Sequence, residues 1–334
     1  MCNPSPDAPH AKAQPLVDIW RGGRLESQHL GHVAICDAKG LVASWGDPKA
    51  LVYPRSSAKM IQALPLLTSG VGQTLPKHRL ALACASHQGG AIHTDEVTMW
   101  LGELGLSPDD LRCGPQAPWD RDAKFAMIRA HGTPGQEHNN CSGKHTGFLM
   151  LAQHLGGELE YLEIDHPVQK AVLEAFEEVT QETSPGYGID GCSAPNHAAS
   201  MEGMARAMAW FAAAGTRSDV MSRAAAQLVE AMHTHPDYVA GERRACTNLM
   251  RAMDGVAIKT GAEGYFVAIL PKQGLGVALK IADGATRAAE AAIAHVLVSL
   301  GVLDAAAQDY INAPIKNSRG IETGATRPAE GFAP

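Results

Sequence analysis

The stretch that decides the fold is residues 256–281, which read VAIKTGAEGYFVAILPKQGLGVALKI. This stretch contains three β-rich runs, at 256–259, 265–270 and 276–281, separated by two short turn segments that contain glycine. Connections this short predict antiparallel neighbours, because a parallel crossover needs about a dozen residues or more. The C-terminal part of the chain is therefore expected to form a three-stranded meander.

A second β region lies near the N-terminus, where runs at 32–36 and 41–45 flank the turn-rich tetrapeptide 37–40 and predict a hairpin. Between the two β regions, and again after the meander, apolar residues recur at helical spacing. The predicted helices cover residues 167–179, 201–214, 219–232 and 286–300. A stripe of Met201, Met204, Met208 and Phe211 is typical of a core-facing helix surface. We expect an α/β (α+β) fold: a mostly antiparallel sheet built from both ends of the chain, with helices and an inserted helical lobe.

The 334 residues suit one large two-lobed domain, which we place at residues 16–312. Residues 1–15 are polar and proline-rich and are expected to be a flexible tail. Residues 313–334 are rich in Gly, Pro and Thr and are expected to be an irregular arm. No internal repeat is found.

Composition excludes several classes of function. With 45% hydrophobic and 19% charged residues the chain is typical of a globular protein, and its net charge of −7 disfavours a nucleic-acid partner. No run approaches the roughly 18 apolar residues of a membrane-spanning helix. Seven cysteines, without an apolar leader, indicate reduced thiols or metal ligands and a cytoplasmic protein.

Two motifs carry residue types suited to acyl transfer. In RSSAKM, Ser56 and Lys59 form the pattern SxxK and share a helix face, so a neutral lysine amine can accept the serine proton. Lys259-Thr260-Gly261 closes the first strand of the meander, the context in which KTG accompanies SxxK in serine acyl-transfer enzymes. Each motif alone also fits ordinary structure, such as a capping serine or an exposed lysine at a strand end.

A third segment, CASHQGG at residues 84–90, places Ser86 beside two glycines, as in a loop pressed against a ligand. Ser86 is a candidate second hydroxyl of a serine–lysine network. The alternative is a serine that caps a helix or a strand.

Two further motifs, HNNCSGKHTGF and DGCSAP, contain Cys141 and Cys192. Two cysteines, a third donor and a water would make an open tetrahedral zinc site. From residue chemistry alone the third donor is expected to be His138 or His145, because a lysine must lose its proton to coordinate. Two buried apolar cysteines are the alternative.

In this order, the motifs resemble those of the rhizobial-type L-asparaginases, a family related in fold to serine β-lactamases, glutaminases and penicillin-binding proteins. The likeness runs from about Arg21-Gly22 through RSSAK, CASH, HNNCSGKHTGF, DGCSAP and residues 236–250 (PDYVAGERRACTNLM) to IKTG and KIADG, and it covers most of the chain. The sequence departs from the commoner family pattern at Gln88-Gly89-Gly90, where Ser-Gly-Glu is often found.

The resemblance implies hydrolysis of L-asparagine to L-aspartate and ammonia through an acyl-enzyme. It implies two serine–lysine pairs, Ser56 with Lys59 and Ser86 with Lys259, and we take Ser56 as the nucleophile. Residues expected to bind or orient the substrate are Arg55, Asp190 and Thr260.

The resemblance also implies a zinc cofactor and a homodimer. The implied zinc ligands are Cys141, Lys144 and Cys192, with water as the fourth, so the family favours lysine over histidine as the third donor. Two other functions stay open from the sequence: a β-lactamase or penicillin-binding type of serine acyl hydrolase, and a non-catalytic amino-acid sensor.

Overall fold

A computed structural model describes residues 10, 12–304 and 308–334 of the protein. Its strands are β1 (Gln14–Arg21), β2 (Arg24–Asp37), β3 (Gly40–Trp45), β4 (Leu51–Val52), β5 (Tyr187–Ile189), β6 (Pro195–His197), β7 (Ala199–Ser200), β8 (Ala257–Gly261), β9 (Tyr265–Leu270), β10 (Leu275–Ile281), β11 (Pro314–Lys316) and β12 (Glu322–Pro328). Its α-helices are α1 (Lys59–Gln62), α2 (Leu64–Thr68), α3 (Lys77–Ala83), α4 (Ala91–Glu103), α5 (Arg121–Arg129), α6 (Ser142–His154), α7 (Pro167–Thr180), α8 (Met201–Ala212), α9 (Val220–Thr234), α10 (Pro236–Ala240), α11 (Ala245–Arg251), α12 (Thr286–Ser299) and α13 (Gln308–Ile311).

The main sheet joins the two ends of the sequence. Within the described residues it has eight strands, in the order β11-β12-β1-β2-β10-β9-β8, and β3 also pairs with β2. The ladders of this sheet are antiparallel. At the seam between the ends, Gly276 of β10 lies opposite Cys36 of β2. The predicted class, a mostly antiparallel sheet with helices, is confirmed.

The predicted elements match the structure closely. The N-terminal hairpin is β2 with β3, and the meander is β8, β9 and β10. The four predicted helices correspond to α7, α8, α9 and α12. The stripe on α8 is fully buried, as predicted for core packing, with exposed fractions of 0% at Met204 and 1% at Phe211.

The two predicted terminal segments differ from the structure. Residues 313–334 contain β11 and β12, and β12 pairs with β1, with Val17 opposite Pro328. Apolar and polar residues do not alternate along these two strands, so local propensity does not predict them. Their strand structure is instead specified by pairing with a neighbouring strand. Gln14 and Pro15 already belong to β1, and residues 1–9 and 11 lie outside the described residues.

Helices cover both faces of the sheet. All six residues of β9 are buried, although successive side chains of a strand point to opposite faces. Helix α8 packs against β10, β2 and β9, and α12 packs against β10, β12 and β1. The contact with α8 is close, because a Cβ on Gly276 would lie 2.0 Å from the backbone nitrogen of Ala209. No helix among the described residues is both long and apolar enough to cross a membrane.

A second close contact joins α3 to α6 in the helical lobe. A Cβ on Gly143 of α6 would lie 2.4 Å from the carbonyl oxygen of Leu82 on α3. Glycine is needed here because backbone occupies the space of a side chain. The contact sets the separation between the segment that follows α3 and the start of α6, which carry the predicted serine and cysteine motifs.

Gly143→Ala is therefore expected to lower the free energy of unfolding by about 1–3 kcal/mol, the usual range for overpacking. The measurement is the urea midpoint at constant m-value. Gly102→Ala is the matched control, since Gly102 also lies in a helix and a Cβ there meets nothing within 4 Å. Equal stability of the two variants would contradict the close α3–α6 contact.

Candidate active site

The two motifs predicted for acyl transfer lie directly against each other. After β4 the chain forms a short 3-10 helix, Arg55–Ala58, that leads into α1. The hydroxyl of Ser57 donates a hydrogen bond to the carbonyl oxygen of Lys259 at 3.0 Å. A Cβ on Gly261 would lie 2.6 Å from the carbonyl oxygen of Pro54, so the glycine of KTG permits this approach.

The hydroxyl of Ser86 lies between two buried lysine amines. Its Oγ is 3.1 Å from Nζ of Lys59 and 2.8 Å from Nζ of Lys259. Lys59 also donates to the carbonyl oxygen of Ala85, and Lys259 donates to the carbonyl oxygen of Thr260 at 2.7 Å. Both lysines are 1% exposed and Ser86 is 4% exposed. The three side chains form one continuous hydrogen-bonded array that is closed to bulk water.

Ser56 lies beside this array and is half-buried, so it is the more accessible of the two serines. Within the described part of the chain its hydroxyl makes no side-chain hydrogen bond, and the amine of Lys59 is directed to Ser86. The two predicted serine–lysine pairs are therefore brought together as one cluster, in which Ser86 contacts both lysines and Ser56 contacts neither through a hydrogen bond.

Burial sets the proton affinity of Lys259. Loss of water around the ammonium group, together with the nearby charge of Lys59, lowers the pKa of Lys259 to about 7. A large fraction of this amine is then neutral near neutral pH. A neutral amine in hydrogen-bond contact with a serine hydroxyl can accept its proton.

Arg55, one residue before Ser56, has a left-handed backbone with φ of 53°. Its guanidinium donates from Nε and Nη2 to Oδ1 of Asp190, at 2.9 and 2.7 Å. Non-glycine residues in this region store about 1–3 kcal/mol of strain and persist only where surrounding contacts hold them. The ion pair with Asp190 therefore holds the backbone that carries Ser56.

The other residues predicted to orient the substrate are placed differently. The hydroxyl of Thr260 donates weakly to the backbone oxygens of Gly261 and Tyr265, at 3.3 and 3.5 Å. After Asp190 the chain turns at Gly191 and Cys192. A backbone bond from Ser193 to the carbonyl of Asp190 closes this turn, so the side chains of Asp190 and Cys192 diverge, towards Arg55 and Lys144 respectively.

The predicted metal ligands lie together beside the serine–lysine cluster. Nζ of Lys144 is 3.1 Å from Sγ of Cys192, and the thiol of Cys141 donates to Oδ1 of Asn140 at 2.9 Å. Nζ of Lys59 is 3.1 Å from Sγ of Cys141, which links this group to the lysines of the other cluster. All three predicted ligands are 3% exposed.

The pKa values of the two thiols are shifted in opposite directions. Interaction with the neighbouring Cys141, and then with the amine of Lys144, lowers the pKa of Cys192 well below its ordinary value. The neighbouring Cys192, together with burial, raises the pKa of Cys141. Burial would lower the pKa of Lys144, but the two sulfurs and Asp190 outweigh it and raise this pKa.

Two sulfurs and an amine nitrogen fit zinc, which takes soft and borderline donors in a tetrahedral arrangement. Among the described residues, no group of three or more His, Cys, Asp or Glu side chains is placed to hold a metal. A zinc ion at these two sulfurs would take Lys144 as its third donor. The histidines first considered for that place have other partners at Nδ1. His138 pairs with Glu137 at 2.7 Å, and His145 bonds Tyr161 at 2.9 Å through Nδ1.

Sequence reasoning missed several groups that hold the site. Ser57 fixes the SxxK turn to β8, and Asn140 accepts a hydrogen bond from the Cys141 thiol at 2.9 Å. Nε2 of His87 lies 2.9 Å from Oγ of Ser142, which joins the loop of Ser86 to the start of α6. Their only signal in the sequence was the density of polar residues within the motifs themselves.

A cavity of about 330 Å³ opens beside Arg55. Its charged lining residues are Arg55, Glu263 and Lys280.

A serine hydroxyl between buried lysine amines, with KTG on a strand, is the arrangement expected of hydrolases that activate serine with lysine. The sequence model of the family described as L-asparaginase II matches residues 17–328. The chain belongs to the L-asparaginase II family. The family resemblance drawn from the motifs is confirmed. No curated protein matches the chain significantly.

The solved structures to which this chain is similar include β-lactamases and glutaminases. A β-lactamase from Mycobacterium bovis is 14% identical, with a TM-score of 0.45, over 80% of this chain and 94% of that one. A probable glutaminase from Bacillus subtilis, complexed with 6-diazo-5-oxo-L-norleucine, is 14% identical, with a TM-score of 0.38, over 82% and 84%. The native form of Mglu in 4.3 M NaCl is 13% identical, with a TM-score of 0.43, over 78% of this chain and 59% of that one. The chain thus spans little more than half the length of Mglu.

Proposed function

We propose that the protein hydrolyses the side-chain amide of L-asparagine to L-aspartate and ammonia. The observation that carries the proposal is the hydroxyl of Ser86 held between the amines of Lys59 and Lys259, beside the accessible hydroxyl of Ser56. Family membership supplies the amide as the bond that is cleaved.

In the proposed reaction Ser56 attacks the amide carbon, and Lys59 takes the proton of its hydroxyl. That proton goes to the leaving nitrogen, the C–N bond breaks, and ammonia departs from a serine ester. Water then attacks the ester, which releases aspartate and returns the proton to Ser56. Ser86 passes protons between Lys59 and Lys259, so one amine is neutral when the other is charged.

We propose that Cys141, Lys144 and Cys192 hold a zinc ion. When bound, zinc supplies a positive charge that can bind the charged end of an amino acid. The serines already provide a nucleophile, so the proposal assigns zinc to substrate binding. We also propose a homodimer, which sedimentation of the purified protein tests.

The test of the function is ammonia release by the purified, zinc-supplemented protein from L-asparagine and, in parallel, from L-glutamine. Release from asparagine at higher kcat/KM than from glutamine supports the proposal. Release from glutamine alone would identify glutamine, and not asparagine, as the substrate. Binding of asparagine without ammonia would favour an amino-acid sensor, and acylation by a labelled penicillin would favour a β-lactamase type of enzyme.

Activity is expected to fall as pH decreases through about 7. Below its pKa of about 7 Lys259 is protonated and cannot accept a proton through Ser86, so kcat/KM should drop about tenfold per pH unit. Above that pH the neutral amine dominates and the rate should level off. The measurement is a kcat/KM profile, and an acidic limb centred near pH 4 would contradict a role for the lysine.

Cys192→Ala is expected to raise KM for asparagine by at least about tenfold, with a smaller change in kcat, because a zinc ligand is lost. Steady-state kinetics with and without added zinc provide the measurement. Cys36→Ala is the control, since Cys36 is a buried thiol of β2 whose hydrogen-bond partner among the described residues is the carbonyl of Glu202. An unchanged KM in Cys192→Ala would exclude the proposed role of zinc.

A further inference from the structure

The buried ring of His87 connects the loop that carries Ser86 to the start of α6. Nδ1 of His87 accepts a hydrogen bond from the backbone N–H of Gly89 at 3.1 Å. Nε2 of the same ring lies 2.9 Å from Oγ of Ser142, the first residue of α6. His87 is 0% exposed, so bulk water does not compete for either bond. Both ring nitrogens therefore have partners within the protein.

The direction of these hydrogen bonds fixes the orientation of the ring. Because the N–H of Gly89 is a donor, Nδ1 of His87 accepts, and Nε2 carries the ring hydrogen and donates to Ser142. The hydroxyl of Ser142 in turn donates to the carbonyl oxygen of Glu137 at 2.9 Å. A flipped ring would place carbon atoms at both bonded positions, so it would lose both bonds.

A second histidine holds the face of this ring. His93 of α4 stacks on His87, with ring centroids 4.6 Å apart and an angle of 8° between the planes. Nε2 of His93 lies 2.9 Å from the carbonyl oxygen of Asp237. The stack limits movement perpendicular to the ring plane, and the bonds to Gly89 and Ser142 limit movement within it.

Ser86, the neighbour of His87 in the chain, needs an accurately placed loop. Its hydroxyl contacts amines from two other elements, Lys59 of α1 at 3.1 Å and Lys259 of β8 at 2.8 Å. A displacement of about 1 Å would stretch such a contact beyond hydrogen-bonding distance. The position of the loop therefore decides whether one hydroxyl can reach both amines.

We propose that His87 is a positioning residue for Ser86. Backbone bonds from the N–H groups of Ser86 and His87 to the carbonyl oxygens of Val239 and Asn140 fix the main chain of the loop. The ring of His87 adds a side-chain connection to α6 and so holds the hydroxyl of Ser86 between the two lysine amines. This inference rests on the proposed function, because it concerns the serine–lysine cluster.

The first test is a double-mutant cycle on kcat for ammonia release. His87→Phe keeps an aromatic ring for the stack but removes both hydrogen bonds, and it is expected to lower kcat by about 10–10²-fold. In the Ser86→Ala background the same substitution is expected to have no further effect, since the group that it positions is absent. His87→Gln, whose amide N–H can reach Ser142, is expected to retain most of the activity.

Two further variants complete this test. Ser142→Ala removes the same connection from its other end, so it decides the matter if His87→Phe does not fold, and it is expected to lower kcat to a similar extent. His29→Phe is the matched control, because His29 is also buried and its ring nitrogens contact Asp283 and Arg287; it should leave kcat unchanged. Losses that multiply in the double variant, or a wild-type kcat in Ser142→Ala, would overturn the inference.

The second test needs no substrate and so separates this inference from the function. Hydrogen exchange of backbone amides, measured by mass spectrometry, reports local opening of the chain. In His87→Phe, peptides that span residues 84–90 are expected to exchange at least about tenfold faster than in the wild type, while peptides of β9 keep their rate. Equal exchange at residues 84–90 would overturn the inference. A wild type that releases no ammonia would overturn the hydrolase, even with the difference in exchange present.

Discussion

Ser56→Ala is expected to reduce kcat for asparagine by at least about 10³-fold, because the variant lacks the oxygen that forms the ester. The buried array of Lys59, Ser86 and Lys259 stays intact in this variant, since Ser56 takes no part in its hydrogen bonds. The loss therefore measures the nucleophile alone. Ammonia release gives kcat, and mass spectrometry of the quenched enzyme shows whether an ester forms.

Ser86→Ala is the matched variant. It removes the hydroxyl that links the two lysines and should lower kcat by about 10–10²-fold, within the range of one proton-transfer group. An ester on the protein is still expected, because Ser56 is present. An ester in Ser56→Ala and none in Ser86→Ala would assign the nucleophile to Ser86, the serine that contacts both amines.

Asp190→Ala is expected to lower kcat by about 10²-fold or more without direct loss of a reacting group. Arg55 then loses the carboxylate that accepts both of its donors, and its backbone at φ of 53° can relax. A relaxation of about 1 Å at the next residue, Ser56, is enough for a 10²-fold loss of rate. The measurement is kcat for ammonia release.

Two further variants serve as controls for this prediction. Asp190→Asn keeps an oxygen that can accept both donors but loses the charge, and it should lose less activity than Asp190→Ala. Asp254→Ala removes an exposed ion pair with Lys272, and it should leave kcat unchanged. If Asp190→Ala retained wild-type kcat, the ion pair would not control the position of Ser56.

Much of the fold was predictable from local pattern. The meander and the hairpin have β-rich runs between turn residues, and α8 has a continuous apolar face. Strands β11 and β12 were not predictable, because they lack apolar alternation and acquire strand structure through pairing, β12 with β1 and β11 with β12. Pairing of that kind depends on the other end of the chain and leaves no local signal.

The residues that form the site were predictable from the sequence, but the contacts between them were not. SxxK spacing places Lys59 on the same helix face as Ser56, yet the amine bonds Ser86 from another segment. Local spacing describes one helix, whereas a buried amine takes the acceptors that tertiary packing supplies. The role of Asp190 depends likewise on the backbone strain at Arg55, which the sequence does not reveal.

The seam between β2 and β10 has a consequence for how the chain folds. Cys36 pairs with Gly276, so this ladder joins segments far apart in the sequence, and contacts of high contact order form slowly. The segments that carry Cys141, Lys144 and Cys192 leave the ribosome before Lys259 does. We therefore expect the proposed zinc ligands to come together first and the serine–lysine cluster to be completed only when β8 docks, so that zinc binding would precede activity during synthesis.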